Sequence, residues 1–194
     1  MPLPDQIGKY RVLRPLGHGG MGTVYLTQDP DLRRPVAVKV VREDVTDREL
    51  HDRFLREARA AASLTHPNLV TIYEVGVAQD GRPFMAMEYV AGPSLAELID
   101  QRYELAFVHK LAYLEQLALG LESVHHAGIV HRDIKPANLM IDERGVLRIL
   151  DFGIARAKSL AHQVAGREED AVGRNVEEQP DRGEDADQHV VAQG

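Results

Sequence analysis

Apolar residues in the first ninety positions alternate at strand spacing, with one helical interruption. Tyr10 to Leu16 and Thr23 to Gln28 are rich in Val, Leu and Tyr and flank a glycine cluster, which predicts a hairpin. "RRPVAVKVV" predicts a third strand, Val36 to Val41. From Asp47 to about Leu64 the period changes, with Leu50, Phe54, Ala58 and Ala61 at helical spacing, until His66-Pro67-Asn68 stops the helix. "NLVTIYEVGV" and "PFMAMEYV" predict two more strands joined through a turn at Asp80-Gly81. Beyond Gly92-Pro93 helices take over. Ser94 caps a short helix through about Gln101, and a longer one runs from Phe107 to Ala127, with Leu111, Leu114, Leu117 or Ala118, Leu121 and Val124 along one face. "NLMID" and "VLRIL" then predict two short strands around a turn at Arg144-Gly145. No internal repeat is visible.

Charge divides the chain. Of 30 acidic and 23 basic residues, nine and three fall after Lys158, so the net charge of -7 belongs mostly to the tail. The body is close to neutral, and neither part has the basic excess of a general nucleic-acid binder. Residues 159–194 contain one Leu, five Val and no Ile or aromatic, too little apolar surface to offset the entropy of ordering. There are no cysteines, which excludes disulfides and thiolate zinc sites and fits a reducing, cytoplasmic setting. The first residues, MPLPDQIGKY, lack a signal-peptide pattern, and no window is long and apolar enough to span a membrane.

"LGHGGMGTVYL" places Gly17, Gly19 and Gly22 as G-x-G-x-x-G. A dinucleotide fingerprint needs a helix after the glycines, whereas Thr23-Val24-Tyr25-Leu26 is β-branched and aromatic, and no GK[ST] follows. What remains is a glycine flap whose backbone N–H groups can approach phosphates. In "VAVKVV", Val36, Val38 and Val40 face one way and Ala37, Lys39 and Val41 the other. A lysine on so apolar a strand either snorkels or needs an anion, and Glu57, beside the apolar face of the helix, is a candidate partner. "HRDIKPANLM" sets Asp133, Lys135 and Asn138 in a non-helical segment, and Asp151 of "DFG" lies eighteen residues beyond Asp133. His125 and His126 end a helix facing water, and His131 reads as structural rather than as a metal ligand.

Taken in order, these motifs resemble the eukaryotic-type (Hanks-type) serine/threonine protein kinase family, most closely its bacterial branch, from about Ile7 to Lys158. The resemblance implies an α+β, two-lobed fold: a five-stranded antiparallel N-lobe with one helix at residues 1–90, and an incomplete helical C-lobe at 91–158. An acidic, kinase-unlike tail at 159–194 would follow. It implies ATP and Mg²⁺ as cofactors and protein Ser/Thr hydroxyls as acceptors. The Gly17, Gly19 and Gly22 flap would cover the phosphates, with Leu16 and Val24 on adenine beside Ala37. Lys39 would hold the α- and β-phosphates, oriented by Glu57. Met87 would back the pocket, Glu88 and Val90 would offer backbone hydrogen bonds to adenine, and Met140 would lie beneath it. Asp133 would accept the substrate proton, Lys135 neutralise the γ-phosphate, and Asn138 and Asp151 bind magnesium.

That pattern ends soon after Gly153. No Gly-Thr platform, Ala-Pro-Glu or further amphipathic helix follows, and Ser159 is the only hydroxyl side chain after Asp151. The expectation is a kinase domain cut short after DFG, impaired in protein phosphorylation, with an exposed apolar face on the Phe107–Ala127 helix that invites a partner. A non-catalytic nucleotide-binding or interaction module and an unstable kinase fragment are the competing readings.

Overall fold

The structure, a computed structural model, describes residues 3–19, 22–42 and 48–150, apart from the side chains of 48 and 50. The chain divides into two units, Met1–Arg156 and Ala157–Gly194, and every described residue lies in the first. The acidic tail and the Asp151-Phe152-Gly153 motif therefore lie outside the described residues.

An antiparallel sheet is built from β1 (Gln6–Ile7), β2 (Tyr10–Gly19), β3 (Gly22–Gln28), β4 (Pro35–Val41), β5 (Ile72–Val77) and β6 (Pro83–Glu88), in the order β1-β2-β3-β4-β6-β5. The five expected strands are present, and the two-residue β1 extends one edge through Ile7↔Tyr10. Strand alternation sorts β4 onto two faces. Val36, Val38 and Val40 join Ile7, Tyr10, Val12, Phe84 and Ala86 in an outer cluster. Ala37 and Val41 belong to the inner core with Met85, Met87 and, from α1 (Arg48–Ala62), Phe54, Ala58 and Ala61. β3 lies so close to β4 that a Cβ on Gly22 would sit 2.0 Å from the Val40 carbonyl oxygen.

The inner core continues without a break into the helical half. There, α2 (Leu95–Asp100) and α3 (Phe107–His126) precede the hairpin of β7 (Leu139–Ile141) and β8 (Leu147–Ile149). Ser94 and Glu97 form a complete capping box at the start of α2. Gly120 lets α3 settle on β8, since a Cβ there would come within 2.6 Å of the Ile149 Cδ1.

Two local expectations shift. The strand expected from Asn68 begins at Ile72, because residues 68–70 pair with β8 instead: Ile149 N donates to Asn68 O at 2.8 Å and Val70 N to Ile149 O at 3.1 Å. The single leucine face of α3 also splits. Leu117 and Leu121 pack on the core and Val124 is buried, whereas Leu111 and Leu114 stand exposed with Phe107 and Val108. No helix among the described residues is long and apolar enough to cross a membrane.

Candidate functional site

Residues singled out along the sheet come together through strand register. Gly17 pairs with Val24, Val24 with Lys39, and Lys39 with Met85, so these positions form one row across four strands. Ala37 pairs with Met87 in the next row inward. Residues directly opposite one another in a sheet share a face. Lys39 is only 7% exposed, and it lies on the face that carries the inner core. Val24 is partly buried against that core, while Leu16 is 37% exposed on β2. A Cβ on Gly17 would meet nothing within 4 Å, and one on Gly19 only the Gly22 carbonyl oxygen at 3.9 Å. Neither glycine has the positive φ that would demand glycine for backbone reasons.

The pairing expected between Lys39 and Glu57 is not formed: no ion pair joins them among the described residues. Both lie in or beside the core, but α1 presents Glu57 elsewhere. Burial pushes the Glu57 carboxyl above its ordinary range, and the cations that oppose this are Arg132, Arg53 and Arg56. Helical spacing placed Glu57 correctly beside the apolar face, and the docking of the helix decided which cations it meets.

The second group is local. After α3 the chain passes through Arg132, a non-glycine residue at φ 61°, into the loop that holds Asp133 and Lys135 and then a 3-10 turn, Pro136–Asn138. Lys135 Nζ lies 2.8 Å from Asp133 Oδ2. Asn138 Nδ2 donates to the same Oδ2 at 3.1 Å and to the Asp133 carbonyl at 2.8 Å. The Asp133 side chain is 12% exposed and that of Lys135 45%. A carboxylate, an ammonium and a side-chain amide thus meet at one partly exposed point, held by a six-residue loop of chain.

His131 is buried, with both ring nitrogens on backbone groups. Its Nδ1 accepts from the Asp133 N–H at 3.3 Å, so the proton sits on Nε2, which donates to the Leu150 carbonyl at 2.8 Å. The structural reading of this histidine holds, and it ties the Asp133 loop to the residue just before Asp151. His125 and His126 are exposed, as expected.

Glu88 and Val90 occupy the connection out of β6. The Glu88 N–H donates to Thr71 O at 2.8 Å, while the Val90 N–H makes no hydrogen bond among the described residues. Met140 lies partly buried on β7, opposite Arg148. Two polar residues escaped the sequence reasoning. Arg148 Nη2 pairs with Glu88 Oε2 and its Nη1 donates to Pro67 O at 2.9 Å. Asn68, nearly fully buried, donates to Leu147 O and to Gln116 Oε1. The signal for Arg148 was present, since Leu147 and Ile149 are apolar and alternation turns the arginine to the opposite face.

The sequence profile of the protein kinase domain family matches residues 10–173. The chain belongs to the protein kinase domain family. That match runs past Lys158, where the motif-based resemblance ended. Among curated kinases, the serine/threonine-protein kinase PrkC of Bacillus subtilis is 45% identical over 153 residues, covering 78% of this chain and 24% of PrkC. The serine/threonine-protein kinase PknK of Mycobacterium tuberculosis is 43% identical over 159 residues, covering 81% of this chain and 14% of PknK. The crystal structure of the M. tuberculosis PknI kinase domain aligns with a TM-score of 0.70 at 34% identity, over 80% of this chain and 63% of that one. The chain therefore spans a quarter or less of those curated kinases and under two thirds of the solved kinase domain. The curled antiparallel sheet, its single helix and the helical half below are the kinase fold, and the family is one of ATP-dependent protein kinases.

Proposed function

We propose that this chain carries the ATP- and Mg²⁺-binding part of a serine/threonine protein kinase and takes part in moving the γ-phosphate of ATP to a protein hydroxyl. The observation that carries the reading is the Asp133–Lys135–Asn138 cluster, three unlike polar groups within hydrogen-bond reach at one point. Phosphoryl transfer is mostly positioning and charge stabilisation, which calls for a base, a cation and hard oxygen ligands in close quarters.

The residues fit the nucleotide and the metal. The space beside Gly17 and Gly19 is unexplained by packing or backbone strain, and it suits a flap that closes over phosphates. Lys39, in register with Gly17 through Val24, would hold the α- and β-phosphates. The Val90 N–H, unbonded among the described residues, and the Glu88 carbonyl would meet the base, with Leu16, Val24, Ala37 and Met87 around it and Met140 beneath. Asn138 commits its nitrogen to Asp133, which leaves Oδ1, a hard neutral donor suited to Mg²⁺, with Asp151 as the expected second ligand. Bound Mg²⁺ supplies neutralisation of phosphate charge. Asp133 accepts the hydroxyl proton, a role worth on the order of 10²–10⁴-fold in rate. Lys135, already beside Asp133, holds charge at the transferring group.

Transfer of labelled phosphate to a generic basic protein, lost in Asp133→Asn with the melting temperature unchanged, is the expected result. A rise in melting temperature with Mg-ATP but no transfer would favour a nucleotide-binding module without catalysis. No rise and no transfer from a cooperatively folded chain would refute the nucleotide site.

A further inference from the structure

Two segments distant in sequence, one through Arg148 and one through Thr71, converge on the carboxylate of Glu88. Arg148, on β8, gives Nη2 to Glu88 Oε2 and Nη1 to the Pro67 carbonyl at 2.9 Å. The same Oε2 accepts the Thr71 N–H at 3.2 Å, and the Glu88 N–H donates back to the Thr71 carbonyl at 2.8 Å. The side chains of Arg148 and Glu88 are 15% and 29% exposed. The Arg148 Nε is buried with no partner among the described residues, a cost that the other two contacts of the guanidinium offset. Two residues beyond Glu88 lies the Val90 N–H, which makes no hydrogen bond among the described residues.

We infer that Arg148 is a positioning residue for base recognition: through Glu88 it holds the backbone of residues 88–90 where the adenine edge is read. The inference rests on the nucleotide-site reading above. Hydrogen bonds weaken steeply with misalignment, so a carbonyl and an N–H that must meet one planar edge need a fixed backbone. Arg148 supplies this with a planar fork that a lysine cannot fully copy. Because Arg148 is also opposite Met140, one strand pair sets both the floor beneath the base and the line of its edge. Without Arg148, the Glu88 carboxylate keeps only the Thr71 N–H among the described residues, and the segment loses its tie to β8.

The test compares Mg-ADP with Mg-IDP by titration calorimetry on the 194-residue chain. Adenine carries an exocyclic amino donor for the Glu88 carbonyl, whereas hypoxanthine presents an oxygen there, so the ratio of the two affinities reports backbone placement. Arg148→Met is expected to weaken Mg-ADP on the order of tenfold, the loss of about one good hydrogen bond, with Mg-IDP changed less than about twofold. Arg148→Lys should recover part of the preference, and Glu88→Gln should fall between wild type and Arg148→Met. Equal weakening of both nucleotides in Arg148→Met would mean a purely structural role and overturn the inference, as would an unchanged ADP affinity in a folded variant. Failure of the unsubstituted chain to bind ADP would instead remove the nucleotide-site reading and this inference together.

Discussion

Replacing Asn68 by alanine tests how the two halves of the fold are joined. Asn68 is 5% exposed, and its Nδ2 donates to Leu147 O at 2.9 Å and to Gln116 Oε1 at 3.0 Å. Gln116 Oε1 also accepts the Leu147 N–H at 2.8 Å, so one amide pair joins the 68–70 segment, α3 and β8. Alanine removes two hydrogen bonds and takes the side-chain donor from a carbonyl on a residue that is 1% exposed. Each lost bond costs about 0.5–1.5 kcal/mol, and the stranded carbonyl raises the total to about 2–4 kcal/mol. For a unit of this size that is roughly 4–16 °C in melting temperature. The chain has no tryptophan, so urea and thermal melts are best followed by far-UV circular dichroism. Asn68→Asp sharpens the test, because a carboxylate would face two oxygens. It should destabilise at least as much as alanine at neutral pH and less as acid protonates it. An alanine variant within about 0.5 kcal/mol of wild type would refute the argument, since no buried polar junction is that cheap to break.

Gly22→Ala should separate β3 from β4, because its Cβ would sit 2.0 Å from the Val40 carbonyl; a loss of about 1–3 kcal/mol or more is expected in urea melts. Tyr10→Phe removes the hydrogen bond to Glu74 Oε2 and should cost about 1 kcal/mol. Burial, then the Glu74 bond, raises the Tyr10 hydroxyl above its ordinary value of about 10. Its stabilisation is therefore complete below pH 10 and fades as pH rises further, and melts on the alkaline side should show a smaller decline in Tyr10→Phe. Ser94→Ala should cost about 1 kcal/mol by opening the cap of α2. The Ser94 backbone and hydroxyl hold the Glu97 carboxyl below its usual range, so this share of stability is present above about pH 4.3 and disappears as pH falls through the depressed value. An acid titration should show a smaller decline in Ser94→Ala.

Most of the elements were legible because periodicity is local. Alternation in β4 separated Val36, Val38 and Val40 from Ala37, Lys39 and Val41, and the structure sorts them into two clusters in that way. The Ser94 cap and the Arg144-Gly145 turn depend on a few neighbouring residues. Boundaries moved where distant partners competed. Residues 68–70 read as part of a strand but bond to β8, and the α3 leucines read as one face but divide between core and solvent. A period identifies a face, while burial depends on what is packed against it.

The candidate site divides along the same line. By itself the sequence determined the local cluster: Asp133, Lys135 and Asn138 fall within six residues, so the chain geometry brings them together. It also determined which face of β4 carries Lys39, since side chains on a strand alternate. Only the tertiary structure decided that Arg148 meets Glu88 across 60 residues, that Asn68 meets Leu147 across 79, and that Glu57 stands apart from Lys39. The physical reason is that short spacings are governed by the rigid peptide unit, whereas long-range pairs form only where packing of the whole core outweighs the entropy of closing the intervening chain.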